Sequence, residues 1–222
     1  MARLQAAQAD LSVAEEHRRR ELRVGITQSI AVSVLPELVQ RFAASAPDVV
    51  FRPWEASFDL CLYEAVERGD VELAFVELPA PPGPFELFEL MSDPYVLVAS
   101  RDAPLPAGPL SLRELSSLPL IEQVGSRGLD AVEKQLAALG VEPVVVFRST
   151  VNAVILALVA AGVGAAVLPA LDVGVGDPRV AVHQLPEITP RTLALVRHKD
   201  RRHADAELAF TEQAREVCEH LP

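Results

Sequence analysis

Two junctions of the same design constrain the fold of this chain most strongly. In each, an apolar segment ends in hydroxyl-bearing residues and passes directly into a second segment with helical periodicity; the first junction follows residues 22–26 and the second follows residues 144–148. A helix N-terminus has unpaired backbone N–H groups and a partial positive charge, so a Ser or Thr there either caps the helix or turns its hydroxyl towards a ligand. Two such junctions, far apart in the sequence, predict two lobes that face one cleft. That cleft is expected to bind small molecules, preferably anions.

Length, charge and cysteine content narrow the class of protein. The 222 residues suffice for one large domain or for two small α/β lobes. The formal net charge is −11, whereas a free-standing nucleic-acid-binding domain is normally basic, so the chain is not expected to bind DNA alone. Its two cysteines, Cys61 and Cys218, are too far apart for a metal motif or a disulfide framework, and they fit a reducing compartment. No metal and no cofactor are therefore expected.

The sequence also indicates a cytoplasmic protein with no membrane partner. Residues 1–20 are charged and rich in Ala and Gln, without the apolar core of a signal peptide. The longest apolar stretch, residues 151–171, is interrupted by Asn152, by two glycines and by Pro169. It is therefore predicted to form a buried helix followed by a buried strand rather than a membrane span.

Hydrophobic periodicity predicts an alternating order of strands and helices. The predicted strands are residues 22–27, 49–54, 72–76, 85–91, 94–99, 118–122, 144–148, 164–168, 180–185 and 192–197. The predicted helices are residues 30–46, 58–68, 111–115, 127–139, 151–161 and 204–221. The first lobe thus has the order β-α-β-α-β and the second repeats it, which requires mainly parallel sheets with right-handed crossovers. The chain returns to the first lobe near Thr192, so two crossings between the lobes form a hinge.

Residues 2–18 carry a separate amphipathic pattern. Leu4, Ala7, Leu11 and Ala14 repeat at the a and d spacing of a heptad and give one apolar stripe. Two heptads cannot hold a coiled coil alone. The stripe is either the end of a longer helix or a surface helix packed on its own domain.

A series of short motifs runs from about Leu22 to Leu221. The motifs are Leu22-Arg23-Val24-Gly25, Leu35-Pro36, Phe42 with Pro47, Leu73-Ala74-Phe75-Val76, Asp93-Pro94, and the segment 158–169 with the sequence LVAAGVGAAVLP. In this order and spacing they resemble the effector-binding domain of LysR-type transcriptional regulators. Glu72 stands where that family usually has Asp.

The resemblance implies an α/β fold of two Rossmann-like βαβ lobes joined by a hinge of two crossover strands, similar to the type 2 periplasmic binding proteins. Residues 21–98 and 193–222 are expected to form regulatory lobe I, and residues 99–192 regulatory lobe II. Residues 1–20 would be the end of a linker helix. The helix-turn-helix domain of the family is absent from this chain, so DNA is expected to be bound only through a domain outside it.

By resemblance, the ligand lies between the lobes and is held by hydroxyl, amide and backbone groups. The expected ligand-binding residues are Thr27, Gln28, Ser29 and Ser57 from the first lobe and Gln123, Val124, Ser126, Ser149 and Thr150 from the second. Convergent helix N-termini and hydroxyls bind a carboxylate without a buried cation. The alternative is local: Ser29, Ser57 and Ser149 would only cap their helices, Thr27 would satisfy a strand end, and Gln123 and Ser126 would be ordinary loop residues.

The resemblance also implies dimerisation. Helices 30–46 and 127–139 are expected to pack antiparallel against those of a twofold-related copy. Apolar residues left exposed in the monomer would mark this interface, and the expected ones are Val32, Leu38, Leu136 and Leu139.

The function implied is the effector-sensing domain of a LysR-type regulator, which binds a small anionic metabolite, forms a homodimer or tetramer and controls transcription. The alternative from another class is a solute-binding protein of a transport system, which shares the bilobal fold but normally carries a secretion signal. An enzyme would need an acid–base or nucleophile pair across the cleft, and the sequence has no Gly-x-Ser-x-Gly, Walker or His-Glu-x-x-His motif. We therefore expect no enzymatic activity.

Overall fold

The computed structural model describes residues 21–174 and 176–221. The predicted linker segment, residues 1–20, lies outside the described residues. The strands are β1 (Glu21–Ile26), β2 (Val50–Glu55), β3 (Leu73–Glu77), β4 (Phe85–Asp93), β5 (Tyr95–Ser100), β6 (Pro119–Gln123), β7 (Val144–Ser149), β8 (Ala166–Pro169), β9 (Val180–Gln184) and β10 (Arg191–His198). The helices are α1 (Gln28–Ser33), α2 (Leu35–Ser45), α3 (Asp59–Arg68), α4 (Leu112–Leu115), α5 (Arg127–Ala138), α6 (Asn152–Ala160), α7 (Ala170–Val173) and α8 (Asp205–Glu219).

The elements follow the predicted order with two differences. The predicted helix 30–46 is divided into α1 and α2 at Val34, because Pro36 in the first turn of α2 has no N–H to continue the bonding of α1. The short helix α7 was not predicted. It follows Pro169 directly and is too short to show a helical period.

The first sheet has the strand order β2-β1-β3-β10-β4. Strand β1 is parallel to β2 and β3, whereas β10 is antiparallel to β3 and β4. Helices α1, α2 and α8 cover one face, where Leu38, Phe42 and Phe210 pack with apolar residues of β1. Helix α3 covers the other face with Leu62 and Val66. Gly69, in the left-handed region at φ 81°, ends α3 and lets the chain turn into β3.

The second sheet repeats this plan. Strands β8-β5-β9 form one ladder and β6-β7 another. The two ladders are joined where Ile121 N donates to Ala165 O at 2.7 Å and Ala165 N donates to Pro119 O at 2.8 Å. Helix α5 packs on one face through Val132 and Leu136, and helix α6 packs on the other through Ile155 and Val159.

Two crossovers join the sheets, one between β4 and β5 and one between β9 and β10. Among the described strands, β5 pairs only with β8 and β9 of the second sheet, so the predicted boundary of lobe I at residue 98 is corrected to Pro94. Proline cannot donate to a strand ladder, and it separates β4 from β5. Below, lobe I means residues 21–93 with 191–221, and lobe II means residues 95–184 without residue 175.

Within the described ranges, no helix is both long and apolar enough to cross a membrane.

Candidate functional site

The loops and helix starts that follow β2 and β3 in lobe I contact those that follow β6 in lobe II, where Phe58 packs on Gly125 and Arg127 donates to Asp59 and to the carbonyl oxygen of Pro79. We call this region the inter-lobe space. Ligands of open α/β sheets bind at the carboxyl ends of parallel strands, because the loops and helix N-termini that follow them converge there. Both junctions singled out in the sequence lie at such ends: β1 leads into α1 and β7 leads into α6.

At the first junction, Thr27 and Ser29 contact each other. Their hydroxyl oxygens are 3.2 Å apart, and Thr27 makes no side-chain capping bond to α1. The Ser29 hydroxyl is buried and accepts a hydrogen bond from Arg191 Nη2 at 3.3 Å, so it does not simply cap the helix. Gln28 is exposed beside them.

At the second junction, the backbone ties two predicted residues together. Val124 N donates to Ser149 O at 3.0 Å, and the Ser149 hydroxyl accepts from Val151 N at 3.0 Å. Ser149 thus supports a local turn, which agrees with its local alternative. Thr150 is exposed.

Gln123 contacts a residue that the sequence reasoning missed. Its Nε2 donates to the Oδ1 of Asn152, which is buried in the first turn of α6. The Oε1 of Gln123 is buried and has no hydrogen-bond partner among the described residues. Gln123 is therefore more than an ordinary loop residue, and one of its acceptors remains free.

Ser57 and Ser126 lie on facing loops of the two lobes. Ser57 is exposed, and Ser126 precedes α5 without a side-chain capping bond. Between them, Phe58 of lobe I packs on Gly125 of lobe II, where a Cβ would lie 2.1 Å from the Phe58 ring. Gly125 has φ 91°, so both its backbone and this contact require glycine.

An ion pair joins the lobes next to this contact. Arg127 Nε donates to Asp59 Oδ1 at 3.2 Å, and Arg127 Nη2 donates to Asp59 Oδ2. The same guanidinium donates to the carbonyl oxygens of Glu77, at 3.0 Å, and Pro79, at 3.2 Å. Arg127 thereby connects the start of α5 to two segments of lobe I.

A buried ion cluster lies where the crossovers meet. Arg191 Nε donates to Asp93 Oδ2 at 2.8 Å, and these two side chains are 9% and 1% exposed. Asp93 Oδ1 also accepts from Leu171 N at 3.2 Å, at the start of α7. Glu77 Oε2 lies 3.9 Å from Arg191 Nη1, beyond hydrogen-bond distance. The cluster therefore fixes both crossovers to α7.

Asp172 lies on α7 next to Leu171, whose carbonyl oxygen accepts from Ser33 Oγ of α1 at 2.7 Å. Burial raises its pKa, Arg191 opposes that rise, Asp93 adds to it, and hydrogen-bonding interactions with Asn152 and Ser29 oppose it. Burial likewise raises the pKa of Glu77, and Arg191 again opposes the rise. Asp172 and Glu77 thus bring negative charge to a region where the sequence predicted only hydroxyls, amides and backbone donors.

The residues of this region that were not predicted from the sequence are Asp59, Glu77, Asp93, Tyr95, Asn152, Asp172 and Arg191. Most of these residues bind partners that are far away in the sequence, so no local sequence pattern predicts the pairs. Asn152 alone carried a sequence signal, a polar residue at the start of an otherwise apolar helix.

The predicted dimer residues divide into two groups. Val32 and Leu139 are 57% and 53% exposed, as an interface requires. Leu38 and Leu136 are 0% and 5% exposed, so their prediction as exposed residues is wrong. Each lies on the core-facing stripe of its helix, and Leu38 is four residues from Phe42 in the same core.

Two concavities lie away from the inter-lobe space. A cavity of about 310 Å³ lies in lobe II between α5 and strands β6 and β7, with Glu122 and Glu133 at its border. A hydrogen bond to Glu122, together with burial, raises the pKa of Glu133 to about 7. An open groove of about 1190 Å³ lies at the opposite end of the first sheet, and its charged lining is partly paired, as in Arg23 with Glu72.

Within the described ranges, no group of three or more His, Cys, Asp or Glu residues is arranged to hold a metal ion.

Comparison with known proteins identifies relatives. A family model described as LysR substrate binding domain matches residues 15–219. A curated relative is the "Uncharacterized HTH-type transcriptional regulator YfeR" of Shigella flexneri, which is 29% identical over 204 residues. That alignment covers 88% of this chain and 64% of the relative, so this chain spans less than two thirds of the relative's length.

Two solved structures share the fold at low sequence identity. The BenM effector binding domain with its effector benzoate is 17% identical, with a TM-score of 0.78 over 90% of this chain and 92% of that one. The regulatory domain of CcmR from Synechocystis PCC6803, in complex with 2-PG, is 17% identical, with a TM-score of 0.80 over 91% and 99% of the two chains.

Proposed function

The chain belongs to the family of LysR substrate binding domains, and we propose that it senses a small effector in the inter-lobe space and passes that signal to transcription. One observation carries the proposal. Hydrogen-bonding interactions with Ser29 at the first junction and with Asn152 at the second oppose the rise in the pKa of Asp172, and Ser33 Oγ of α1 donates to the carbonyl oxygen of the neighbouring Leu171 at 2.7 Å. That both strand-to-helix junctions act on the same side chain supports one shared site between the lobes.

The proposed ligand-binding residues are those expected from the sequence, with four additions. They are Thr27, Gln28, Ser29, Ser57, Gln123, Val124, Ser126, Ser149 and Thr150, joined by Glu77, Tyr95, Asn152 and Asp172. The two solved neighbours are named with small bound molecules, benzoate and 2-PG, which supports a compact metabolite for this chain. Hydroxyls such as those of Thr27 and Thr150 suit an anionic group on that molecule.

Signalling follows from the two crossovers and the Asp59–Arg127 ion pair. A ligand changes the equilibrium between two lobe arrangements only if it binds one of them more tightly. Groups from both lobes line the inter-lobe space, so a molecule bound there gains most contacts when the lobes are close. We propose that the ligand favours the closed arrangement and that this changes the geometry of an assembled regulator.

The assembly proposed is a homodimer or tetramer in which α1, α2 and α5 pack against those of a second copy, with Val32 and Leu139 in the interface. DNA binding belongs to a helix-turn-helix domain of the whole regulator, as the name of the curated relative indicates. The net charge of −11 supports DNA binding by a separate domain, because a domain that binds DNA alone is normally basic. The proposed role is regulatory rather than catalytic, and its location is the cytoplasm, where a transcription regulator meets DNA.

A thermal-melt screen against small carboxylates, hydroxy acids, amino acids and fractions of a metabolite extract tests the proposal. A ligand at 100 times its Kd adds about 2.7 kcal/mol to the free energy of unfolding, which raises Tm by about 5–10 °C for a chain of this size. The shift should be lost in Thr27→Val and Thr150→Val. It should persist in Thr189→Val, which makes the same change at an exposed threonine outside the inter-lobe space. Equal shifts in all three variants would contradict the site.

A further inference from the structure

Acidic groups outnumber basic ones at the floor of the inter-lobe space. Glu77, Asp93 and Asp172 lie around the single guanidinium of Arg191. Asp93 takes the closest contacts with that guanidinium, at 2.7 and 2.8 Å. The Glu77 carboxylate is left at 3.9 Å, without a direct hydrogen bond to it.

The charge of Arg127 opposes the rise in the pKa of Glu77, but the hydrogen bonds of Arg127 go to other partners. Its Nε and Nη2 bind the Asp59 carboxylate, and Nη1 and Nη2 also donate to backbone carbonyls of lobe I. Among the described residues, neither the Glu77 carboxylate nor the Asp172 carboxylate therefore has a guanidinium nitrogen within hydrogen-bond distance. Burial raises the pKa of both carboxyl groups.

Two buried polar side-chain atoms of lobe II lack a hydrogen-bond partner among the described residues. The Tyr95 side chain is 3% exposed, and its hydroxyl has no hydrogen-bond partner among the described residues. It lies over Gly128 at the start of α5, where a Cβ would be 2.1 Å from Tyr95 OH and 2.3 Å from Glu77 Oε1. The second atom is the buried Oε1 of Gln123, next to Asn152. Buried polar atoms are nearly always paired, so these atoms point to a missing partner.

The free groups have a common chemistry. A carboxylate and an amide oxygen only accept hydrogen bonds, and a tyrosine hydroxyl accepts as well as donates. A partner with several N–H donors and a positive charge would satisfy all of them, and an ammonium group has three donors and no acceptor.

We propose that the effector carries a protonated amine, which Glu77 and Asp172 bind at the floor of the inter-lobe space with Tyr95 and Gln123 as further acceptors. The inference rests on the proposed function. The hydroxyls at the rim, Thr27 and Thr150, still suit a carboxylate. The effector class is therefore a small zwitterion of the amino-acid type.

Matched pairs of ligands test this assignment. Each proteinogenic L-amino acid is compared with the 2-hydroxy acid that has the same side chain, by thermal melt and then by isothermal titration calorimetry at pH 7.5. The two members of a pair differ only in the ammonium group. A hydrogen bond to a charged group contributes about 1.5–3 kcal/mol, so the bound amino acid should have a Kd about 10–100 times lower than its partner.

Charge-neutral variants locate the amine. Glu77→Gln and Asp172→Asn should each weaken binding of the amino acid at least tenfold while changing binding of the hydroxy acid less than threefold. Glu89→Gln makes the same change at an exposed carboxylate of β4 and should leave both affinities unaltered. The melting temperature of each ligand-free variant reports whether it is folded.

Each outcome decides between the inference and the function on which it rests. Hydroxy acids that bind as tightly as amino acids, or amino-acid binding that neither variant weakens, overturn the inference and leave the sensor function intact. If no compound of the panel shifts Tm but an extract fraction does, the inference is likewise overturned and the sensor function stays intact. If neither the panel nor the extract shifts Tm, both the inference and the sensor function are overturned.

Discussion

Arg127 at the start of α5 and Asp59 at the start of α3 form an ion pair that connects the two lobes. Arg127 Nε donates to Asp59 Oδ1 at 3.2 Å, the side chains are 32% and 12% exposed, and the residues are 68 positions apart in the sequence. Because the pair spans the inter-lobe space, its formation depends on how close the lobes are. It is therefore the contact whose strength a bound effector would alter most directly.

A double-mutant cycle measures that contact. Asp59→Asn and Arg127→Gln should each lower stability, and the coupling free energy from urea unfolding should be about 0.5–1.5 kcal/mol, because the pair is only partly shielded from solvent. Small-angle scattering should show a larger radius of gyration in either variant. The control is the ion pair of Asp177 and Arg179 within one loop, whose removal should not change the radius. An unchanged radius in Asp59→Asn would contradict a role in lobe spacing.

Arg191 should be essential for stability. Replacing it by Met leaves Asp93, 1% exposed, as a buried carboxylate without its cation, which costs about 3–5 kcal/mol in the free energy of unfolding. Arg191→Lys keeps the charge but loses the two-point geometry and should cost less. Urea denaturation checks both values, with the exposed Arg215→Met as the matched control. A loss below 1 kcal/mol in Arg191→Met would show that the cluster does not hold the crossovers.

Two apolar residues close together in sequence should behave in opposite ways. Leu38→Ala creates a cavity in the lobe I core and should cost about 2–5 kcal/mol in unfolding free energy. Val32→Asp, combined with Leu139→Asp, should leave monomer stability nearly unchanged and raise the dimer Kd at least tenfold, as measured by sedimentation equilibrium. A dimer that survives the double substitution would remove these helices from the interface.

The Glu122–Glu133 pair should make stability depend on pH. The Glu133 pKa is raised from 4.5 to about 7, so the folded protein holds a proton that the unfolded chain has lost. The folded state therefore binds more protons between about pH 4.5 and 7, and the free energy of unfolding falls as the pH rises through that interval. Glu133→Gln should raise Tm by about 1–3 °C at pH 8 and leave it unchanged at pH 5. The control Glu89→Gln should change Tm equally at the two pH values. A Tm change of equal size at both pH values in Glu133→Gln would contradict the proton shared by Glu122 and Glu133.

Local signals explain what the sequence could predict. The strand-to-helix junctions after β1 and β7, and the alternation that forms two sheets, depend on residues within a few positions of one another. The prediction that Leu38 and Leu136 are exposed is wrong because the helical period places both residues on the core-facing side of their helices.

Pairs distant in sequence explain what was missed. Asp93 and Arg191 are 98 positions apart and meet only because the two crossovers run side by side. Asp172 lies on a helix of four residues that has no periodicity to detect. The nine ligand-binding residues expected from the sequence lie at or just after the carboxyl ends of β1, β2, β6 and β7, and their contacts with an effector remain predictions. The acidic floor beneath them depends on tertiary contacts alone.

The central claim is that the effector lies between the lobes, and a crystal structure with the effector identified by the thermal-melt screen tests it most directly. We expect electron density for the effector bounded by Thr27 and Ser29 on one side and by Gln123 and Thr150 on the other, with its amine against Glu77 and Asp172. Density in the 310 Å³ cavity under α5, with the inter-lobe space empty, would contradict it.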